Sequence, residues 1–218
     1  MARIICIAIG YLCGLFQTAY IYGKSKGIDI REKGSGNAGT TNTLRTFGLK
    51  AGILVLFGDI LKCAAACLIA RFLIAPRMAP ELNYLLVLYA AAGAILGHNF
   101  PFYMHFKGGK GIAATAGLII CFHWHFFIMG VIVFFGTFFT THYVSLGSLL
   151  VYAGFVIQII VEGQMGVFGM PQAALNEMYI LSVLLAVMAY YKHRENIKRL
   201  LKGQERKTYL KKKEEKKE

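Results

Sequence analysis

Residues 111–161 read GIAATAGLIICFHWHFFIMGVIVFFGTFFTTHYVSLGSLLVYAGFVIQIIV, 51 positions without one Asp, Glu, Lys or Arg. As a single helix the stretch would rise about 76 Å, against about 30 Å of hydrocarbon in a bilayer, so it must fold back at least once. Polar breaks stand at His123-Trp124-His125 and at Thr140-Thr141-His142. They divide the block into three pieces of about 17 residues, the short limit for a crossing. The first piece is the shortest, because twelve residues precede His123 and its start merges with a glycine-rich loop.

Outward from this block, four stretches at 4–22, 51–70, 82–100 and 173–191 have the length and apolarity of membrane helices. The first is too long for a signal-peptide core and is followed by Gly23 and Lys24, so it is expected to stay as a span. The composition agrees: of 218 residues 56% are apolar and 16% charged, where a soluble domain carries about 25% charged residues. The 4 prolines and long uncharged runs exclude a disordered or collagen-like chain. Five cysteines, all inside predicted spans, form no metal or disulfide spacing.

The 24 Lys and Arg outnumber 11 acids, for a formal net charge of +13, and they are unevenly placed. Twelve lie in residues 192–218 with five acids. Lys24, Lys26, Arg31, Lys33, Arg45 and Lys50 follow the first span, and Lys107 and Lys110 precede the 51-residue block. Loops rich in Lys and Arg stay cytoplasmic. Placing all three segments on one face requires the block to cross three times. The expectation is an all-α polytopic protein of seven transmembrane helices, N-terminus outside and C-terminus cytoplasmic. Residues 1–205 form one membrane-embedded domain, followed by a lysine-rich tail at 206–218. That tail suits anionic headgroups of the bilayer. It lacks the aromatic interleaving of a nucleic-acid site, so no nucleic-acid partner is expected.

Three segments on the basic side carry chemistry. In Gly34-Ser35-Gly36-Asn37-Ala38-Gly39-Thr40-Thr41-Asn42-Thr43-Leu44-Arg45, spaced glycines let backbone N–H groups converge and Arg45 adds a fixed charge, a pattern suited to phosphate. A helix beginning at Thr40 would add its N-terminal N–H groups. In Gly97-His98-Asn99-Phe100-Pro101-Phe102-Tyr103-Met104-His105-Phe106-Lys107-Gly108-Gly109-Lys110-Gly111, two lysines bracket Gly108 and Gly109 before an apolar helix. It is not a Walker loop, because Gly111 stands where the Ser or Thr for magnesium would be. In His193-Arg194-Glu195-Asn196-Ile197-Lys198-Arg199-Leu200-Leu201-Lys202-Gly203-Gln204-Glu205, His193 and Asn196 share a helix face.

Other signals are set aside. Gly23-Lys24-Ser25-Lys26-Gly27 imitates a nucleophile elbow, but no strand precedes it. His123 and His125, two apart at the expected outer interface, are not read as a metal pair. Asp59 and Lys62 can neutralise each other inside a span, and Glu162 marks a helix end. Ser145 and Ser148, in a polar break on the basic side, can each donate to a substrate oxygen.

Together the three long motifs, in this order along nearly the whole chain, resemble the bacterial acyl-phosphate:glycerol-3-phosphate acyltransferase family. The resemblance implies a seven-helix enzyme of the bacterial inner membrane with its active face cytoplasmic. It would transfer a fatty acyl group from long-chain acyl phosphate to the sn-1 hydroxyl of glycerol 3-phosphate, using no coenzyme A, metal or other cofactor. The products are 1-acyl-glycerol 3-phosphate and phosphate, so functional neighbours would belong to phospholipid synthesis. Carried over residue by residue, it implies Ser35, Arg45, His193 and Asn196 as catalytic. Asn37, Thr41, Asn42, Lys107, Gly108, Gly109, Lys110, Ser145 and Ser148 would bind substrate. His142 departs from the basic residue usual before the Ser-Leu pair, which puts charge there in doubt.

The residues themselves fit this chemistry. Arg45, Lys107 and Lys110 supply cations for phosphate. Ser35, His193 and Asn196 can orient the hydroxyl or the acyl carbonyl. The general base is His193 or a substrate phosphate. No histidine has an Asp five positions on, as a soluble-type membrane acyltransferase would need. The rival readings are a transporter of a phosphorylated metabolite, which should show repeated halves and midplane binding groups, and a noncatalytic scaffold, which leaves the three loops unexplained.

Overall fold

The computed structural model describes residues 1–209. Its helices are α1 (Ala2–Gly14), α2 (Thr18–Ser25), α3 (Thr40–Phe47), α4 (Leu49–Ile69), α5 (Ala75–Met78), α6 (Asn83–Asn99), α7 (Ile112–Phe122), α8 (Trp124–Thr141), α9 (Val144–Gln164), α10 (Gln172–Lys192) and α11 (Arg194–Leu201). Among the described residues there is no strand. Six helical stretches are long and apolar enough to cross a membrane: Ala2–Ser25, Leu49–Met78, Pro80–Met104, Trp124–Thr141, Val144–Gln164 and Gln172–Lys192. The breaks expected in the 51-residue block fall at His123 and at His142 and Tyr143. The three pieces are unequal, however. α7 has 11 residues and rises about 16 Å, roughly half the hydrocarbon thickness. The chain ahead of it is spent on a folded loop that ends at Gly111, whose φ of 83° starts the helix.

α6 is the centre of the bundle. Leu85, Leu86, Val87, Leu88, Ala90, Ala91, Ala94 and Ile95 have no exposed surface. It packs most closely on α1, through glycines on both helices. A Cβ on Gly10 would collide with the Ala90 carbonyl oxygen and one on Gly14 with that of Ala94; Gly93 and Gly97 stand the same way against Ile7 and Tyr11. In lipid, helices attract through such close packing, because apolar side chains gain little by leaving hydrocarbon.

α1 is interrupted before α2, and the freed carbonyls find a donor in buried Gln17. Its Nε2 lies 3.2 Å from the Gly14 oxygen and 3.1 Å from those of Gly97 and His98. An unpaired carbonyl at this depth would cost several kcal/mol, on the order of a full desolvation. α4 runs beyond its expected end through a π-helical turn at Ala70–Ile74 into α5. There Asn83 donates to the Arg71 carbonyl at 3.1 Å.

The two ends of the bundle differ. At one end Arg3 grips Glu177 at 2.5 and 2.7 Å, and Tyr89 donates to the same carboxylate at 2.6 Å. At the other end the segments at 26–48, 99–111, 142–148 and 192–208 gather. The expected tail at 206–218 lies outside the described residues from 210 onward. Its first residues rest on the bundle, with the Thr208 N–H donating to the His142 carbonyl at 2.9 Å.

The glycine contact yields a direct test. Gly93→Ala should destabilise the detergent-solubilised protein by about 1 to 3 kcal/mol through overpacking, read as a lower Tm. Gly136→Ala, on the exposed side of α8, where an added Cβ meets nothing outside its own helix within 4 Å, should not lower it.

Candidate active site

At the basic end an open cleft of about 460 Å³ is walled by the loop before α3, the start of α7, the start of α9, and the end of α10 with α11. The loop owes its shape to Asn42, which is 1% exposed. Its Oδ1 accepts the Ser35 N–H at 2.8 Å, and its Nδ2 donates to Ile30 and Lys33 carbonyls at 3.1 and 3.0 Å. Gly34 turns there with φ of 60°, and a Cβ would strike the Asn42 oxygen. Asn42 therefore holds the loop, while Ser35, Asn37 and Thr41 line the cleft beside it. Gly39 to Asn42 open α3 at the cleft wall, a place where the unpaired N–H groups of a helix's first turn suit an anion.

The cations converge from three elements. Arg45 on α3 donates through Nη2 to the Thr208 hydroxyl at 2.8 Å and the Arg206 carbonyl at 3.3 Å. Burial and the Arg206 charge push its pKa below the ordinary arginine value, with Glu205 opposing, yet a guanidinium stays protonated. Lys110, just before α7, donates to Asn196 Oδ1. Burial, then the charge of Arg199, lowers its pKa to about 8. Lys192 donates to the Asn99 carbonyl at 3.2 Å.

His193 is 3% exposed and its Nδ1 lies 2.8 Å from the Ala189 carbonyl. The carbonyl accepts a hydrogen bond from the Nδ1 N–H, which leaves Nε2 of the neutral ring as an acceptor. Burial is the main cause that lowers its pKa to about 4, so the ring is neutral at pH 7.

Glu205 supplies the cleft's own anion. Its carboxylate accepts from Asn196 Nδ2 at 2.6 Å, Arg199 Nε at 2.7 Å and Ser145 Oγ at 2.9 Å. Burial pushes its pKa up, but the bonds from Asn196, Arg199 and Ser145 outweigh it and the net shift is down. Ser148 donates to the Val144 carbonyl of its own helix at 2.7 Å.

Below lies a buried polar floor. Lys62 Nζ stands 2.8 Å from Asp59 Oδ1, 2.8 Å from His98 Nδ1 and 2.7 Å from the Phe16 carbonyl. Asp59 and His98 reach the cleft. The expected mutual neutralisation of Asp59 and Lys62 thus includes a histidine from α6.

The cleft brings together Ser35, Asn37, Thr41, Asn42, Arg45, Lys110, Ser145, Ser148, His193 and Asn196. Lys107, Gly108 and Gly109 stand apart from its lining. Lys107 is exposed. The Gly108 and Gly109 N–H groups are used by the Asn99 and His98 carbonyls at 3.2 and 3.1 Å, and a Cβ on either glycine would collide with His98. Those glycines close a turn and leave no free N–H for an anion. Lys192, Arg199, Glu205, Asp59 and His98 were not expected as site residues; Lys192 meets Asn99, Glu205 meets Ser145 and His98 meets Lys62 across long stretches of chain, whereas Arg199 and Asp59 meet partners six and three residues on.

Beside the cleft runs a second cavity of about 340 Å³, lined almost entirely by apolar side chains of α4, α7 and α8. Thr40, Thr41, Ile112, Ala113 and Val144 line both. A cationic cleft opening into an apolar groove accommodates an amphiphile with an anionic head.

Residues 4–203 match the family described as glycerol-3-phosphate acyltransferase. The chain belongs to that family. A glycerol-3-phosphate acyltransferase of Bacillus cereus is 39% identical over 94% of this chain and 95% of its own length, and one of Clostridioides difficile 38% over 96% and 97%. The fold of this acyltransferase superposes on PlsY, an integral membrane glycerol 3-phosphate acyltransferase, in its glycerol 3-phosphate form with TM-score 0.80 and 30% identity, covering 96% of each chain. The lysophosphatidic acid form gives 0.78. The family decides between the readings open at the sequence level, since an acyltransferase is neither a transporter nor a scaffold.

Asn42 is the cleft's test residue. Asn42→Ala removes three bonds to backbone and should cost about 1 to 3 kcal/mol, seen as a lower Tm and faster proteolysis within residues 30–42.

Proposed function

We propose that the acyltransferase moves a fatty acyl group from acyl phosphate to the sn-1 hydroxyl of glycerol 3-phosphate, releasing 1-acyl-glycerol 3-phosphate and phosphate. The observation that carries this reading is the shared wall at Thr40 and Thr41 between a cation-lined cleft and an apolar groove. Both substrates carry phosphate and one carries a long chain; the two cavities divide those demands.

In this reading Arg45, Lys110, Arg199 and the first turn of α3 hold the phosphates. Ser145 and Asn196, already donors to a carboxylate, are placed for the substrate's oxygens, and Ser35 and Asn37 line the opposite side. The sn-1 oxygen attacks the acyl carbonyl carbon, the bond from that carbon to the phosphate oxygen breaks, and phosphate departs with the electron pair. The cations stabilise negative charge on carbonyl and leaving group, and holding both substrates in one cleft supplies orientation. With a pKa of about 4, His193 is a weak proton acceptor. A phosphate, whose second pKa is about 6, is the better one and takes the sn-1 hydroxyl proton, while His193 Nε2 accepts a hydrogen bond from the neighbouring sn-2 hydroxyl and so aims the glycerol. An acyl phosphate carries its own leaving group, so neither nucleophilic side chain nor cofactor is required.

The basic end is the cytoplasmic face of the bacterial inner membrane in this reading, because loops rich in Lys and Arg remain inside. α7 with its preceding loop counts as a short seventh crossing, which puts the N-terminus outside. The product, an amphiphile, passes to enzymes of phospholipid synthesis in the same membrane.

Purified protein given palmitoyl phosphate and glycerol 3-phosphate should release phosphate with no other protein present; no turnover would overturn the proposal. Arg45→Ala should lower kcat/KM by about a hundredfold with expression intact, and wild-type kinetics would show the phosphate site to be elsewhere.

The Lys110 shift gives a pH dependence. The ammonium is present below pH 8 and lost above it, so kcat/KM, which reports the free enzyme, should fall above about pH 8. Lys110→Arg keeps its charge and should lose this alkaline limb, whatever its maximal rate.

A further inference from the structure

At the end opposite the cleft, the break between α7 and α8 faces the last turns of α9. We propose that His123, His125 and Glu162 form a binding site there for one divalent transition-metal ion of the zinc, copper or nickel class. One ligand atom from each residue lies within 4.8 Å of the other two. His125 Nδ1 is 3.2 Å from Glu162 Oε1. Two ligands of a tetrahedral ion at 2.0 to 2.1 Å stand about 3.3 Å apart, so this pair already has the spacing, and a ring nitrogen of His123 lies within 4.8 Å of both.

The sequence offered the two histidines without a third ligand; the fold brings Glu162 to them from nearly forty residues away. Glu162 also points to a cation in its own right. It is 9% exposed, and its Oε2 is buried with no hydrogen-bond partner. A buried carboxylate oxygen left unpaired is costly, and an ion held by both carboxylate oxygens, Oε1 on the His125 side and Oε2, satisfies it. Gln158, one turn earlier, donates to Oε1 at 2.7 Å, the kind of outer bond that orients a ligand. The Gln158 Oε1 is likewise buried without a donor, and a metal-bound water can supply one. The neighbouring cation, Arg71, pairs with no carboxylate among the described residues: its Nη2 donates to the Phe122 carbonyl at 2.7 Å, the guanidinium lies over the Tyr84 ring, and its Nε is buried without a partner.

Two imidazoles and one carboxylate, with positions open to water, suit borderline ions and not magnesium or calcium, which prefer oxygen ligands alone. Bound there, the ion ties the corner between α7 and α8 to α9. The residues belong to no part of the cleft, so the proposal is independent of the reaction.

The test uses the full chain purified on a histidine-free tag and stripped with a chelator. Zinc titrated by calorimetry should bind one equivalent and raise Tm. Copper bound to the wild-type protein should show electron paramagnetic resonance couplings to two imidazole nitrogens. Glu162→Gln, which keeps an oxygen towards Gln158, and the double variant His123→Ala with His125→Ala should each weaken zinc at least about tenfold, the loss expected even for an outer partner, with acyltransferase turnover unchanged. Equal zinc binding by wild type and variants, or no saturable binding, would overturn the proposal and leave His125 and Glu162 a hydrogen-bonded pair. A copper spectrum with one imidazole or none would overturn it without any variant.

Discussion

The backbone contact between α1 and α6 governs the rest of the bundle. Glycines on both helices let carbonyls of one meet the other at a distance that any side chain forbids, and the pairing brings their ends together at the basic side. There Gln17 binds carbonyls of both helices, Lys62 takes the Phe16 carbonyl exposed by the break after α1, and the same lysine meets Asp59 and His98. The floor of the cleft is thus continuous with the helix interface that builds the core.

On that floor the cleft gathers like charges at close range, an arrangement that water or salt would ordinarily relieve. The protein manages it with acids of its own. Asp59 sits against Lys62 below, and Glu205 stands among Ser145, Asn196 and Arg199 above. The neutral state of His193 and the lowered pKa of Lys110 record the residual positive field and the loss of solvent around them. Such a site is held ready for anions by groups whose charges are compensated within the fold.

Much of the architecture was legible in the chain because lipid imposes a length on every helix. The polar breaks at His123 and His142 could be found from the run of 51 uncharged residues alone. The unequal division of that run could not, since it depends on how the loop at 99–111 folds back on Asn99 and His98. For the site, segments with phosphate chemistry were recognisable, and eight of their expected residues meet Ser145 and Ser148 in one cleft. Asn42 meets it as the residue that shapes the loop, and Gly108 and Gly109 serve a tight turn. Glu205 is 60 positions from Ser145 and His98 is 36 from Lys62; no local periodicity links residues so far apart. Glu162 reads as a helix end until α9 is laid beside the corner of α7 and α8.

The apolar groove is open along its side. Ile120, Phe127, Val131 and Phe135, which line it, are between 38 and 50% exposed, on helices that face lipid. An amphiphile whose tail lies in this groove already touches the acyl chains of the surrounding leaflet. Moving such a tail into water would cost about 0.8 kcal/mol for each methylene, roughly 10 kcal/mol for a chain of a dozen. Sideways departure avoids that barrier altogether. On the proposed reading, a product's tail would slide into the bilayer as its head leaves the cations, without crossing water.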